Sequence, residues 1–300
     1  MIAPINPVAV RRHFRRVAAT YAEADFLARE VDARLQSRLE YLRLAPEVIV
    51  DLGCGPALSR LGLLARYPGA RYVGLDQEAA MFAPAAQSAS PAHFLAASAE
   101  RLPLRAGVAG LVWSNLLLPW LADPFVFFQE VRRVLAEGGL FMFSALGPDT
   151  LKELRGSFPD GHAHTQEFQD MHHLGDMLLE AGLADPVLEM EILTLTYPDL
   201  ETLLAELRAA GATRAMRGGP PGLSGKAFLR GLKTHYESLR REGRLPVTME
   251  ILYGHAWQAA PRVPPHLPHA PHAPQEAGEA GAILRFVRNA GRSGGQGSEA

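Results

Sequence analysis

Apolar residues recur along this chain in two rhythms. Short continuous apolar runs alternate with longer segments whose apolar residues return at helical spacing. The runs at 48–52, 71–75, 93–97, 110–114 and 140–146 are predicted strands. Between them lie predicted helices at 57–66, 78–88 (interrupted by Pro84) and 124–136, the last stopped by Gly138-Gly139. Before the first strand, Phe26, Leu27, Val31, Leu35, Leu39 and Leu42 recur as one face of a long helix over 22–42. Strands alternating with helices predict an α/β fold built on a doubly wound, mostly parallel, seven-stranded sheet.

After residue 146 the rhythm changes. Helices are predicted at 149–158, 170–181, 199–210 and 227–242, and strands at 186–197 and 247–257. The two late strands should complete the sheet. The segments at about 149–182 and 199–245 read as helical insertions that form a lid. This divides the chain into an N-terminal basic segment and lid helix (1–45), a main domain (46–258) and a tail (259–300). The tail is rich in Pro, His, Ala and Gly, which predicts disorder.

Composition narrows the class. The chain is 48% hydrophobic and 21% charged, ordinary for a folded domain. A net charge of −2 gives no reason to expect nucleic acid as a partner. One cysteine, Cys54, excludes an internal disulfide and fits a reducing, cytoplasmic setting. No apolar run is long enough to span a membrane. Arg11, Arg12, Arg15 and Arg16 have no apolar core after them and do not read as a secretory signal.

The candidate chemistry centres on residues 48–57, VIVDLGCGPA. A buried strand ends in Asp51, and Gly53 and Gly55 let the backbone turn tightly against a ligand. The next strand ends at Asp76, at the place where an acid meets ribose hydroxyls in nucleotide-binding βαβ units. Each residue also has an ordinary reading: a tight turn for the glycines, a strand-end cap for Asp76, a small core filler for Cys54. No His and acid pair at a spacing that argues a triad, and no metal-ligand cluster is evident.

Three features taken together resemble the class I S-adenosylmethionine-dependent methyltransferases: the D-x-G-x-G turn, Ala99-Glu100-Arg101-Leu102-Pro103, and Val112-Trp113-Ser114-Asn115. The resemblance covers about 45–145 and implies S-adenosylmethionine as cofactor. It implies cofactor-binding roles for Asp51, Gly53, Gly55, Asp76, Gln77, Ser98, Ala99, Glu100 and Asn115. Two positions depart from the family. Ala57 stands where a third glycine is usual, and Ser98 where an acid is usual. If residue 57 needs a positive φ, alanine costs about 1 kcal/mol there. Pro56 instead argues that residue 57 already lies in the first turn of a helix.

Further motifs narrow the resemblance. Residues 16–34, SNLLLPW (114–120), GPDTLKELR (147–155) and DMHHLGD (170–176) resemble the malonyl-acyl carrier protein O-methyltransferases of biotin synthesis. The same motifs mark a related group, complex I assembly factors that hydroxylate an arginine on a partner subunit. The first resemblance implies methyl transfer to the free carboxylate of a malonyl thioester, with an acidic acyl carrier protein as partner and a monomeric enzyme. A carboxylate is already ionised at neutral pH, so alignment in a dry pocket suffices. Arg155 is the expected carboxylate clamp and Tyr21 a hydroxyl donor from the lid helix. Trp120, His172 and His173 are expected to line or brace the pocket. The basic clusters at Arg11–Arg16 and Lys226–Arg244 are each able to steer an acidic partner. Protein arginine hydroxylase and non-catalytic binding protein stand as the alternatives, the latter on account of Ala57 and Ser98.

Overall fold

The computed structural model describes residues 5–88, 92–160, 162, 164–212, 215 and 225–259. The tail from 260 onward, expected from the sequence to be disordered, and residues 213, 214 and 216–224 lie outside the described residues. Seven strands form one sheet: β1 (Val48–Leu52), β2 (Arg71–Asp76), β3 (His93–Ala96), β4 (Ala109–Ser114), β5 (Leu135–Leu146), β6 (Ala184–Tyr197) and β7 (Leu245–Trp257). Their order is β3-β2-β1-β4-β5-β7-β6. The first five strands are parallel, and β7 enters antiparallel between β5 and β6. The expected doubly wound, mostly parallel sheet is therefore present. Strand order reverses between β1 and β4, so their carboxyl ends open a crevice, the usual ligand position in such sheets.

Helices cover both faces. On one face α5 (Pro124–Val134) and α7 (Met171–Glu180) bury Phe127, Phe128, Val131, Leu174 and Leu178 against Val112, Phe141 and Phe143 of the sheet. On the other, α2 (Phe26–Arg38), α3 (Arg60–Arg66), α6 (Lys152–Gly156), α8 (Leu200–Ala209) and α9 (Lys226–Glu237) pack on Ile49, Leu111, Met142 and Ile251. The central strands are buried on both faces, which is why they read as unbroken apolar runs. α4 (Ala79–Ala86) runs past Pro84 and follows β2. A third, small apolar cluster stands apart: Ile5, Val10 and Ala215, with Phe14 and Trp120 against it.

Several boundaries differ from the sequence reading. The arginine-rich segment is itself a helix, α1 (Pro7–Val17), opened by Pro7 and capped by Asn6, whose Oδ1 accepts from Val8 N and Ala9 N at 3.1 and 3.3 Å. The single helix expected over 22–42 is α2 between short turns at Tyr21–Glu23 and Leu39–Tyr41. α3 starts at Arg60, three residues after Ala57. The helix expected over 149–158 shrinks to five residues, because Leu151 is left-handed (φ +59°). β5 begins at Leu135, and Gly138-Gly139 lies inside it as an irregularity where the β4–β5 register shifts, not as a helix stop.

Candidate active site

β1 delivers its last residues to the crevice and the chain then turns sharply. Gly53 and Gly55 both have positive φ (+68° and +50°). At Gly53 the positive φ favours glycine, and a Cβ there would stand 2.8 Å from Leu117 Cδ1 and displace that side chain. A four-residue turn closes with Ala57 N donating to Cys54 O at 2.8 Å. Ala57 follows with φ +59°, so the expectation of a helical first turn is overturned. Pro56 sits in this tight turn, where a fixed φ serves as well as at a helix start. The Ala57 methyl is buried in the α2–α3 cluster and lies outside the cavity lining.

A cavity of about 470 Å³ opens over this turn, a size suited to a small-molecule ligand. Gly53, Gly55, Asp76, Gln77, Ser98, Ala99, Glu100, Asn115 and Tyr21 all line it. Asp51 does not line it. Its carboxylate is buried one layer behind the turn and accepts from the Tyr72 hydroxyl on β2. Asp76 is held by the turn it serves: Gly55 N donates to Oδ2 at 3.1 Å and Glu78 N to Oδ1 at 2.9 Å. Ser98 Oγ accepts from Glu100 N at 3.2 Å, and Glu100 accepts from Asp123 N. Asn115 bridges elements, donating to Ala28 O at 2.8 Å while Ser144 Oγ donates to its Oδ1 at 2.7 Å.

Burial dominates the electrostatics. It pushes Asp51 up to about 8, against the pull of the Tyr72 hydrogen bond. It pushes Asp76 up to about 6, opposed by the Glu78 and Gly55 amides. Burial, then the Asp25 and Asp76 carboxylates, push Tyr21 up to about 12, which keeps its hydroxyl a donor. Asp76, mostly ionised at neutral pH and lining the cavity, favours a positively charged ligand there.

The far end of the cavity is apolar. It is walled by Leu151, Leu154 and Phe158 from the α6 region, by Leu203, Leu204 and Leu207 of α8, and by Val247 and Met249 of β7. Arg208 is the one Arg or Lys among its described lining residues. Thr165 also lines it, with a buried Oγ1 that has no hydrogen-bond partner among the described residues. Arg155, the expected clamp, lies beside Leu151 and Leu154 on α6 but outside the lining, and its Nη2 donates to Pro148 O. Trp120 lines the cavity as expected. His172 and His173 do not: both are exposed on α7, which packs on the opposite face of the sheet. The sequence reading did not see α1 as a helix over the cavity, and it placed α8 within a lid insertion without saying which helix would meet the cavity. The apolar face of α8 was legible as a helix, but periodicity carries no information on which cavity a face meets.

The residues present fit S-adenosylmethionine: a tight glycine turn and, in the same cavity, the acid Asp76 at the carboxyl end of the second strand, where sheets of this kind place a ribose acceptor. A family model described as "Methyltransferase domain" matches residues 50–143. In fold, the chain is similar to the YcgJ protein of Bacillus subtilis, with a TM-score of 0.54 and 14% identity over 75% of this chain and 98% of that one. It is similarly close to phosphoethanolamine N-methyltransferase 2 of Haemonchus contortus, solved with S-adenosylhomocysteine, with a TM-score of 0.53 and 14% identity over 84% and 60% of the two chains. The matched family model, on this fold, defines the class as an S-adenosylmethionine-dependent methyltransferase. The chain is 43% identical to the malonyl-[acyl-carrier protein] O-methyltransferase of Nitrosospira multiformis over 84% of its own length and 89% of the relative's. It is 44% identical to the enzyme of that name from Gallionella capsiferriformans, over 86% and 93%. The chain belongs to the malonyl-[acyl-carrier protein] O-methyltransferase family.

Proposed function

We propose that this protein transfers a methyl group from S-adenosylmethionine to the free carboxylate of a malonyl thioester on acyl carrier protein. The product ester hides the charge, so that chain elongation toward the biotin precursor accepts it as a primer. We place the reaction in the cytoplasm, carried out by a monomer. Among the described residues no helix is long and apolar enough to cross a membrane. The observation that carries the reading is one cavity with two unlike ends: the Gly53–Gly55–Asp76 cradle, and an apolar wing with a guanidinium in its wall.

S-adenosylmethionine supplies an electrophilic methyl group on a sulfonium. The chain's own residues bind and align. Gly53 and Gly55 let the backbone approach the amino-acid part of the cofactor, Asp76 and Gln77 meet the ribose, and Ser98, Ala99 and Glu100 border the adenine. Asp51 acts from behind as an uncharged support, its carboxyl bonded to the Tyr72 hydroxyl beneath the turn. Tyr21 offers a hydroxyl from above. The substrate carboxylate needs no base, so its positioning in a water-poor wing supplies the catalysis. Arg155 is the proposed clamp. It directly follows the cavity-lining Leu154, and its side chain donates to a neutral backbone carbonyl, Pro148 O, which a substrate carboxylate would replace.

The test is direct. Calorimetry reads cofactor binding, and mass spectrometry of the carrier reads the methyl ester. Arg155→Ala should retain the cofactor and lose ester formation by about a hundredfold, the loss of one charge-assisted bidentate contact. If Arg155→Ala stays active while Arg208→Ala fails, the clamp is Arg208. If the wild type binds cofactor but makes no ester from malonyl-carrier protein, the substrate assignment falls.

A further inference from the structure

α1 is attached to the rest of the molecule unlike any other helix. It contributes Val10 to the small third cluster, apart from both main cores. It crosses the mouth of the cavity, where Pro7 and Phe14 line the opening. Phe14 meets Trp120 edge to face, with ring centroids 5.2 Å apart. Asn6 N donates to Ala215 O at 2.8 Å beside the end of α8. On the cofactor side, Arg11 Nε and Arg15 Nε both reach Glu78 Oε2, at 3.3 and 3.0 Å. Glu78 is two residues beyond Asp76, and its own amide donates to the Asp76 carboxylate. The helix is thus a strap fastened at each side of the cavity, and one fastening is an ion pair next to the ribose-binding acid.

That ion pair is unequal. The Glu78 side chain is only 4% exposed, whereas Arg11 and Arg15 are 55% and 63% exposed. Both arginines remain reachable from solvent while they cover the acid. Beside them, Arg12 and Arg16 are exposed and form no ion pair among the described residues. Val8, at 76% exposed, adds an apolar contact on the same outer surface. The second basic cluster differs. Lys233 is paired with Glu201, Arg240 with Glu237, and Arg244 is bonded to Thr196. Lys226, Arg230 and Arg241 of that cluster form no ion pair among the described residues, but none of its members lines the cavity, so of the two clusters the one on the strap stands beside the opening.

We propose that the outer face of α1 is the docking surface for the acidic carrier protein, and that docking draws Arg11 and Arg15 off Glu78 and so opens the cavity mouth. The inference rests on the carrier-protein reading above and adds its regulation. Charge complementarity names the occupant: an acidic helix with an apolar spot suits four arginines around an exposed valine. A partner that supplies carboxylates to Arg11 and Arg15 competes with one buried acceptor that both of them already share. The strap then lifts when a carrier protein is docked, and the wing stays covered, and dry, when none is.

Stopped-flow fluorescence of Trp120 reads the strap. Association of S-adenosylmethionine with the wild type should accelerate with added salt, because screening loosens the latch. An open acidic site would show the opposite, since salt slows the capture of a cation. Glu78→Gln keeps an acceptor for the α4 amides and should bind fast, without the acceleration by salt. Carrier protein lacking a malonyl group should speed cofactor association in the wild type several-fold and leave Glu78→Gln unchanged. In turnover, the double variant Arg12→Glu/Arg16→Glu should raise KM for malonyl-carrier protein about tenfold or more through lost steering, with malonyl-pantetheine kinetics unchanged. The proposal is overturned if the unloaded carrier leaves cofactor association unaltered, or if the double variant affects both thioesters alike. If the wild type forms no methyl ester from any malonyl thioester, the substrate reading fails, while the carrier's effect on cofactor association still reports on the strap.

Discussion

Ala57 shows how much one backbone angle decides. At φ +59° it is a left-handed alanine in a turn whose neighbours at 53 and 55 are glycine. Its methyl is buried away from the cavity, so it strains the turn without crowding a ligand. Ala57→Gly should stabilise the protein by about 0.5–1 kcal/mol, which a denaturant melt resolves, and leave cofactor affinity unchanged in calorimetry. A gain in affinity with no gain in stability would show that the methyl reaches the cofactor after all. Asp76 carries a second prediction at this scale. Burial raises it to about 6, so as pH falls through that value the carboxylate gains a proton and an oxygen facing the ribose ceases to be an acceptor. Cofactor affinity should drop below pH 6, and Asp76→Asn should bind weakly with a flat pH profile.

The β1–β2 pair turns the same chemistry into stability. Asp51 on β1 is bonded to Tyr72 on β2 inside the sheet, and burial raises it to about 8. An unfolded carboxyl group titrates near 4. Between those values the folded state holds more protons than the unfolded state, so stability falls as pH rises through the window. Without cofactor, the melting temperature should fall between about pH 5 and pH 8, and Asp51→Asn should remove the upper part of that slope. A melting temperature that climbs across this range would contradict the burial argument. The same elements show where sequence reading reached its limit. β1 and β4 were legible to within a residue or two because strands buried on both faces are continuous apolar runs, and β2 and the exposed edge strand β3 were legible from their short apolar runs alone. The start of β5 was not, because Gly138-Gly139 looks like a helix stop and serves as a strand irregularity. Both roles ask for glycine.

Across the whole molecule, the cavity is enclosed by parts remote in sequence: α1, the β1 turn, the α6 region, α8 and β7. A ligand at the cradle should therefore slow hydrogen exchange in α1 and α8 as well as in the glycine turn, because ligand binding stabilises every segment that must open for its release. Saturating S-adenosylmethionine followed by exchange mass spectrometry tests this. Protection confined to the turn and β2 would mean that α1 and α8 do not close on the cofactor.

The sequence alone determined the elements of the sheet, the glycine cradle and the acid that follows β2. These rest on local chemistry: apolar periodicity, and turns that only glycine tolerates. The cavity-lining positions 53, 55, 76, 77 and 98–100 were legible because they stand at strand ends, and the doubly wound topology brings strand ends together. Tertiary structure decided the rest. It moved Asp51 behind the turn, turned Arg155 to Pro148 O, put Arg208 and Thr165 in the wing, and laid α1 across the mouth. These are matters of which faces meet across long separations in the chain. Helical and strand periods tell which residues share a face, and only packing decides what that face encounters.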